Sequence, residues 1–433
     1  MDRREAAGYR LTNASGGGAN VTKEEAQYRV YGYRWIVLLV FIVITVIIQM
    51  QWLTFAPIAR QARAFYGATA PQIDLLSEIF MYVFLITCIP AAYIINRSGV
   101  RVGIGIGAVL TGIFGLTKGI FADSYAMVVA SQVGLGIAQP FIITAVTKVA
   151  VHWFPIGERA TAVGLATLAQ FLGMIIVNIV TPFIVTVETV GGVEHYGLQG
   201  MLMSYGILSA AGALLFVVFM RENPPTPSGP EGDEERFLTI QGIKHILRHR
   251  DMVLLLVMFF LGLGMFNAIA TCIDQISEAK GFTSDQSGMI MGLMLIAGVI
   301  GAIVIPPFSD RLRKRKPFLV AALLLVIPGL AGMTFAGDYA LMLASAGLMG
   351  FFLLGAAAPI GFQYGAEVSF PAPESLSQGI ILFAGQISGI IFINMMNGLG
   401  MIQSMKVFIG LAAVNLLFVL LAKESSRMAG GGR

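Results

Sequence analysis

Apolar residues run along this 433-residue chain in long blocks with few polar interruptions. Stretches of about 20 apolar residues, the length a helix needs to cross a bilayer, fall at 34–58, 74–95, 102–121, 125–152, 159–187, 198–220, 251–274, 284–308, 317–336, 339–366, 375–397 and 404–422. Numbered in chain order as spans 1 to 12, they form two sets of six and predict an all-α membrane protein. Spans 4, 5 and 10 exceed the length of one crossing, which predicts tilt or extension past the hydrocarbon. Pro140, just after Gln139, and Pro359 interrupt the helical hydrogen-bond ladder near mid-span. Spans 4 and 10 are therefore expected to bend.

The two sets of six carry the same passage twice. Phe154-Pro155 recurs as Phe370-Pro371, Glu158 as Glu374, Gln170 as Gln386, Gly173 as Gly389, Ile175 as Ile391 and Asn178 as Asn394, each 216 positions on. Seven identities in 25 positions exceed the roughly two that composition would give. An offset of half the chain implies duplication of a whole half. Each copy sets a glutamine and an asparagine eight residues apart on one face of an apolar helix. Two pseudo-symmetric six-helix halves in a bilayer predict a central site at their interface, and so a transporter.

Composition agrees with the pattern. The chain is 56% hydrophobic and 12% charged, where a soluble domain carries about 25% charged residues. Its net charge of +4 follows from orientation and calls for no nucleic acid. Arg97 and Arg101 follow span 2; Arg311, Arg313, Lys314, Arg315 and Lys316 follow span 8; Lys244, Arg248 and Arg250 lie in the central connection. The opposite side offers only scattered positives, among them Arg60, Arg63, Lys118, Lys280 and Lys406. The positive-inside rule places both termini in the cytoplasm, in a plasma or inner membrane.

The expected organisation is a cytoplasmic tail at 1–30, a six-helix half at 31–220, a cytoplasmic linker at 221–250, a second half at 251–423 and a short tail at 424–433. Asn223 to Pro230 reads as a stiff, exposed linker. Phe237 to Arg250 resumes a helical period and reads as an amphipathic surface segment. The first 30 residues are polar, so no cleaved signal peptide is expected. Sequons at Asn13 and Asn20 fall in a tail that would not meet the glycosylation machinery. Cys88 and Cys272 lie at different depths, which argues against a disulfide. Many span glycines, as at Gly103, Gly105 and Gly107, suit close helix contact.

Polar groups inside a bilayer are costly and should face the protein interior. Gln49 and Gln51 fall in span 1, Gln132 and Gln139 in span 4, Gln170 and Asn178 in span 5. Asn267 falls in span 7, Gln363 in span 10, and Gln386, Asn394 and Asn397 in span 11. A cavity lined by spans 1, 4, 5, 7, 10 and 11 accounts for this sorting. No charged residue or histidine is expected at the midplane; Asp74, Glu78 and Asp274 belong near the outer side, Lys148 and Glu367 near the inner. The favoured solute is neutral, or a soft cation held without a carboxylate. Trp52, beside Gln51, offers a ring face for an ammonium group. No metal-ligand cluster, nucleophile–base pair or phosphate loop is visible, so neither enzyme activity nor a cofactor or metal is expected.

The arrangement resembles the major facilitator superfamily. Ser309-Asp310-Arg311-Leu312-Arg313-Lys314 looks like that superfamily's loop signature, and Asn96-Arg97-Ser98-Gly99-Val100-Arg101 is its first-half counterpart. The resemblance implies gating roles for Asp310 and Arg311, with Asn96 and Arg97 opposite them. A narrower likeness runs from about residue 30 to 422. Gln51-Trp52, Phe65-Tyr66-Gly67, Ile73-Asp74-Leu75-Leu76-Ser77, Ala138-Gln139, Trp153-Phe154, Gly350-Phe351-Phe352, Pro359-Ile360-Gly361-Phe362, Glu367 and Pro371 look like the feline leukaemia virus subgroup C receptor family. That family is linked to choline and ethanolamine uptake and to haem export. The likeness implies a ligand site at Trp52, Asn267, Gln170 and Gln386. Asn267 stands where the family has tyrosine, so one aromatic wall is replaced by an amide. Haem has no obvious ligand, since His152, His195, His245 and His249 all lie at span ends or in loops.

The reading is an alternating-access carrier, monomeric and uniporter-like, for a small polar or amine-bearing solute. Gln51, Gln139, Gln170, Asn267, Gln386 and Trp52 should line the site, with Gln170 and Gln386 facing each other. Glu367 should pair with Arg311 when the inner side closes. The alternatives are a proton-coupled solute or drug antiporter and a non-transporting receptor on the same fold.

Overall fold

A computed structural model describes residues 29–190, 193–228, 240–370 and 374–424. The two sequons, Phe237, Leu238 and Pro371 lie outside the described residues.

Among the described residues, eleven helices are long and apolar enough to cross a membrane. The longest, Ala70–Ile120, contains two of the expected spans, because Gly99 at φ 86° and ψ 174° breaks it. A Cβ on Gly103 would lie 2.9 Å from the Cα of Ile95. In a straight helix residues eight apart are about 12 Å apart, so the chain has folded back and spans 2 and 3 pack side by side. Twelve crossings result, in two six-helix halves.

Gly99 is required twice over. Its left-handed backbone suits a residue without Cβ, and an added Cβ would lie 2.2 Å from a Glu222 carboxylate oxygen. That carboxylate accepts the N–H groups of Val100 and Arg101 at 2.6 and 2.7 Å. It thereby satisfies donors left free at the start of span 3. Glu424 does the same at the start of span 9, accepting from the N–H groups of Arg315 at 2.8 Å and Lys316 at 3.2 Å. In each half, the residue just past the last helix clasps the third.

Spans 4 and 10 bend as the prolines predict. Span 4 is split into Tyr125–Ile143 and Val146–Trp153. Span 10 runs as Tyr339–Phe352, a π-turn at Leu353–Ala357, and Ala358–Val368. Two further breaks lie outside the sequence expectation. Span 1 ends at Trp52, continues as a short 3-10 turn at Ala56–Ile58, and resumes as Ala59–Tyr66. Span 7 stops at Thr271 and resumes as Ile273–Glu278. Between spans 5 and 6 stands an antiparallel hairpin, with Thr186 opposite Gly197 and Val190 opposite Val193. Its signal was present, since Val185, Val187 and Val190 interleave with polar residues before Gly191-Gly192, and Val193-Glu194-His195-Tyr196 follows.

In the described part of the linker Asn223, Pro225 and Pro227 are exposed, as expected, while Pro224 and Ser228 are buried and the segment is anchored. His152 Nδ1 lies 2.8 Å from Asn223 Oδ1, Ser228 donates to the His152 carbonyl at 3.2 Å, and the Arg29 N–H donates to the Pro227 carbonyl at 3.2 Å. Prolines cannot donate, but their carbonyls and polar neighbours still find partners on the first half. Farther on, the helix Ile240–Arg248 buries Ile246 in one apolar cluster with Met252, Leu255 and Ile381.

Candidate substrate site and its closed end

Trp52 is the last residue of the first helix of span 1 and is 7% exposed. Its indole N–H is buried without a hydrogen-bond partner. Gln49 lies three residues earlier, one turn back on the same helix face, and accepts a hydrogen bond from Gln139 at 3.0 Å. That bond ties span 4 to the face that carries Trp52. Gln51 is a correction. Two residues from Gln49 means about 200° around the helix, so the two glutamines cannot share a face. Gln51 is 1% exposed and donates to the Tyr205 carbonyl at 3.2 Å and to Ser209 at 2.7 Å, both on span 6. Its amide N–H groups thus join helices of one half, away from the face of Gln49 and Gln139, and its side-chain oxygen is buried without a hydrogen-bond partner.

Gln170 and Gln386 are both half-buried, in equivalent settings. Each precedes by three residues a glycine on which the first helix of its half rests. A Cβ on Gly173 would lie 2.4 Å from the Val46 carbonyl and 2.9 Å from Gln49 Cβ, and one on Gly389 would lie 3.1 Å from Asn267 Cβ. Span 5 thus closes on span 1 and span 11 on span 7, one turn from each glutamine. No hydrogen bond joins Gln170 to Gln386. Asn267 is buried and donates to the Gly385 carbonyl at 3.2 Å, which leaves its side-chain oxygen as an acceptor beside Gln386 in sequence register.

Polar contacts between the halves gather at the end opposite the basic loops. Arg60, in the resumed part of span 1, donates to Asp274 with Nε at 3.1 Å, Nη2 at 2.7 Å and its backbone N–H at 2.9 Å. It also donates to the Phe282 carbonyl at 2.7 Å. Arg63 pairs with Glu278, and Ser284 bridges Gln61 and Asp274 at 2.9 Å each. On span 2, Asp74 accepts from Gln275 and, at 2.9 Å, from Asn397; Asn394 reaches Glu78 at 3.5 Å. The breaks in spans 1 and 7 make this lock possible. Arg60 and Asp274 both lie in the short helices that follow the breaks, where they meet directly.

At the basic-loop end Glu367 is held by Arg315 in this state; its pairing with Arg311 is the expectation for the state closed on the inner side. Glu367 accepts from Arg315 Nη2 at 2.9 Å, and Asp310 accepts from Arg315 Nη1 at 2.5 Å. Arg315 is almost wholly buried and also donates to Ser309 at 3.1 Å. Arg311 is exposed. The cause is Arg313, whose φ of 51° ends the helix in a left-handed turn and swings Arg315 back over Ser309 and Asp310. In the first half, Asn96 and Arg97 are exposed and, among the described residues, Arg97 donates to Tyr93 at 3.3 Å. Glu222 does the clasping there. Arg315→Gln should lower thermal stability by about 3 kcal/mol, because Glu367 would be left buried without its cation. Arg311→Gln should leave the melting temperature unchanged. Equal melting temperatures for the two variants would sink this assignment.

One residue was missed altogether. Lys118 is 0% exposed and donates to Thr54 at 3.1 Å and Gln132 at 3.5 Å. Sequence position had grouped it with scattered outer positives. A lysine near a span end usually reaches water, and only the packing shows that this one turns inward.

Comparison with known proteins agrees with this architecture. The model of the Major Facilitator Superfamily matches residues 31–393. Solute carrier family 49 member A3 of Danio rerio is 28% identical over 394 residues, covering 86% of this chain and 80% of its own. The human choline/ethanolamine transporter FLVCR2 is 27% identical over 373 residues, covering 83% and 70%. A bacterial homolog of the human lysosomal transporter Spinster, in an inward-facing and unoccupied conformation, superposes with a TM-score of 0.74 at 15% identity, covering 92% of this chain and 98% of its own. That last likeness speaks for the fold alone. Twelve crossings in two repeated halves, locked to each other at one mouth, carry the same message as the family match: the chain belongs to the Major Facilitator Superfamily of membrane transporters.

Proposed function

We propose that the chain is a uniporter-like carrier of a small polar solute bearing an amine or quaternary ammonium group, with choline and ethanolamine as first candidates. The observation that carries the reading is the break of span 1 at Trp52. It leaves an aromatic ring and an unpaired indole donor on the face shared with Gln49 and Gln139. Gln170, Asn267 and Gln386 complete the set by pseudo-symmetry. The names of the choline/ethanolamine relatives support the solute class. The basic loops, by the positive-inside rule, belong in the cytoplasm. The lock at the opposite mouth then makes this a state closed to the outside, with access from within.

An ammonium over one ring face gains about 2 kcal/mol when desolvated, and amide oxygens supply the rest. Alternation requires the Arg60–Asp274 and Arg63–Glu278 pairs to part. The test is radiolabelled choline and ethanolamine uptake into proteoliposomes holding the purified protein. Saturable flux supports the reading. Its absence for both solutes, with a folded protein, defeats the solute class.

A second reading, proton-coupled transport, has one specific observation behind it. Asp74 and Glu78 are buried one turn apart on span 2, and their hydrogen-bond partners are neutral: the amides of Gln275, Asn397 and Asn394, the Tyr82 hydroxyl, and the Cys272 thiol 3.6 Å from Asp74. A uniporter should show little concentrative uptake when only a pH gradient is imposed. Strong pH-driven accumulation that Glu78→Gln abolishes would replace uniport with symport.

A further inference from the structure

The most unusual group in the first half is the ammonium of Lys118. It is wholly buried in the apolar interior, and the partners recorded for it are two neutral oxygens and a ring. A buried cation is costly unless something specific offsets it. Here the offset is the end of a helix. Span 1 unwinds immediately after Trp52: the Gln49 carbonyl still accepts from the Leu53 N–H at 3.4 Å, while the next carbonyls, of Met50 and Gln51, face the Thr54 hydroxyl. They form the negative end of the helix dipole. Thr54 stands between those carbonyls and Lys118. Its hydroxyl lies 2.9 Å from the Met50 carbonyl and 3.1 Å from that of Gln51, and its oxygen accepts from Lys118 Nζ at 3.1 Å. The ammonium also sits 5.5 Å from the centre of the Phe55 ring, the next residue in the break. Behind it, Gln132 of span 4 accepts from Lys118 and donates to the Leu76 carbonyl of span 2 at 2.8 Å.

We propose that Lys118 is a positioning residue: through Thr54 it caps the broken end of span 1 and thereby fixes where Trp52 stands. The brace runs from the frame of spans 2, 3 and 4 to the stretch of span 1 where the regular α-helical ladder gives way to a long Leu53–Gln49 bond at 3.4 Å and two 3-10 bonds. The second half lacks it, since the position equivalent to Lys118 is Thr334. The break in span 1 is therefore braced from within its own half, while the residues at the break in span 7 are held by Asp74 and Arg60 of the other half. Its importance for solute recognition rests on the reading of Trp52 as part of the substrate site.

The chain has three tryptophans, so Trp35→Phe with Trp153→Phe leaves Trp52 as the sole emitter. In that background, without solute, Lys118→Met and Thr54→Val should each shift Trp52 emission and raise its accessibility to acrylamide. Lys118→Arg should restore much of the original spectrum, because a charged donor is retained. The double variant Lys118→Met/Thr54→Val should be no worse than either single one, as expected for two links of one chain. Thr54→Val nearly preserves volume and keeps the test valid if Lys118→Met fails to fold. An unchanged Trp52 spectrum in Thr54→Val, or effects that simply add in the double variant, overturns the brace. Choline uptake is read separately: the same variants should raise KM about tenfold with a smaller change in maximal rate. A shifted spectrum with unchanged KM leaves the brace standing and removes Trp52 from the substrate site.

Discussion

Arg60→Met should shift the protein strongly toward the state open at the hairpin end. Asp274 is 0% exposed, and Arg60 is the cation that meets its carboxylate. Removing one partner of such a pair leaves a buried uncompensated charge, at about 3–5 kcal/mol. Arg60 is itself partly exposed, so the lower figure applies, and about 3 kcal/mol is a population change of roughly 100-fold. The penalty is felt only where the two halves meet, so it falls on the locked state and spares the open one. Spin labels at the exposed positions Ala64 and Ala279 would report it as a longer distance across the mouth. Asp274→Asn should act in the same direction and less strongly, since an amide still accepts one hydrogen bond from Arg60. An unchanged distance distribution in Arg60→Met would show that the lock does not set the resting state.

Trp52→Ala should weaken choline binding by about 2 kcal/mol, or roughly 30-fold. Trp52→Phe should cost only a few-fold by the same cation–π argument, because a ring face remains. Isothermal titration with choline and with ethanolamine separates two contributions. The ring face attracts the ammonium, whereas the unpaired indole N–H can donate to a solute hydroxyl. If phenylalanine and alanine lose equally, the donor governs recognition. If neither loses, Trp52 is a packing residue. Asn267 in place of an aromatic wall leaves a one-sided platform, so solutes able to donate hydrogen bonds should compete well against a quaternary ammonium.

Much of this architecture was legible in the chain because the bilayer dictates it. A crossing needs a fixed length of apolar helix, and a proline in mid-span removes a donor wherever it falls. The twelve windows, the bends at Pro140 and Pro359 and the repeat around Gln170 and Gln386 follow from those constraints. What could not be read was direction within a helix that is buried on every side. Gln49 and Gln51 differ by two positions and part company completely, one toward span 4 and one toward span 6. Lys118 looks like a surface lysine until Thr54 and Gln132 are placed beside it. The choice of Arg315 over Arg311 hangs on one left-handed residue, Arg313, in a run where five of six residues are basic. Asn394 and Asn397 were read as cavity polar groups, and they reach across to Glu78 and Asp74 instead. The breaks at Trp52 and Thr271 left only a weak trace, Pro57 in one half and nothing comparable in the other.

The hairpin between spans 5 and 6 also dates itself. Asn178 and Asn394 lie 216 positions apart, yet Gln199 and Met401, which begin spans 6 and 12, lie 202 apart. The register slips by 14 residues, the length from Val185 to Leu198, while spans 11 and 12 are joined by Gly400 alone. The hairpin was therefore gained by the first half, or its counterpart lost by the second, after the ancestral half was copied. Its Tyr196 strand now leans on the resumed part of span 1 that carries Arg60. The two halves inherited one frame and then diverged at the hairpin mouth, so the end opposite the basic loops is where this lineage wrote its own history.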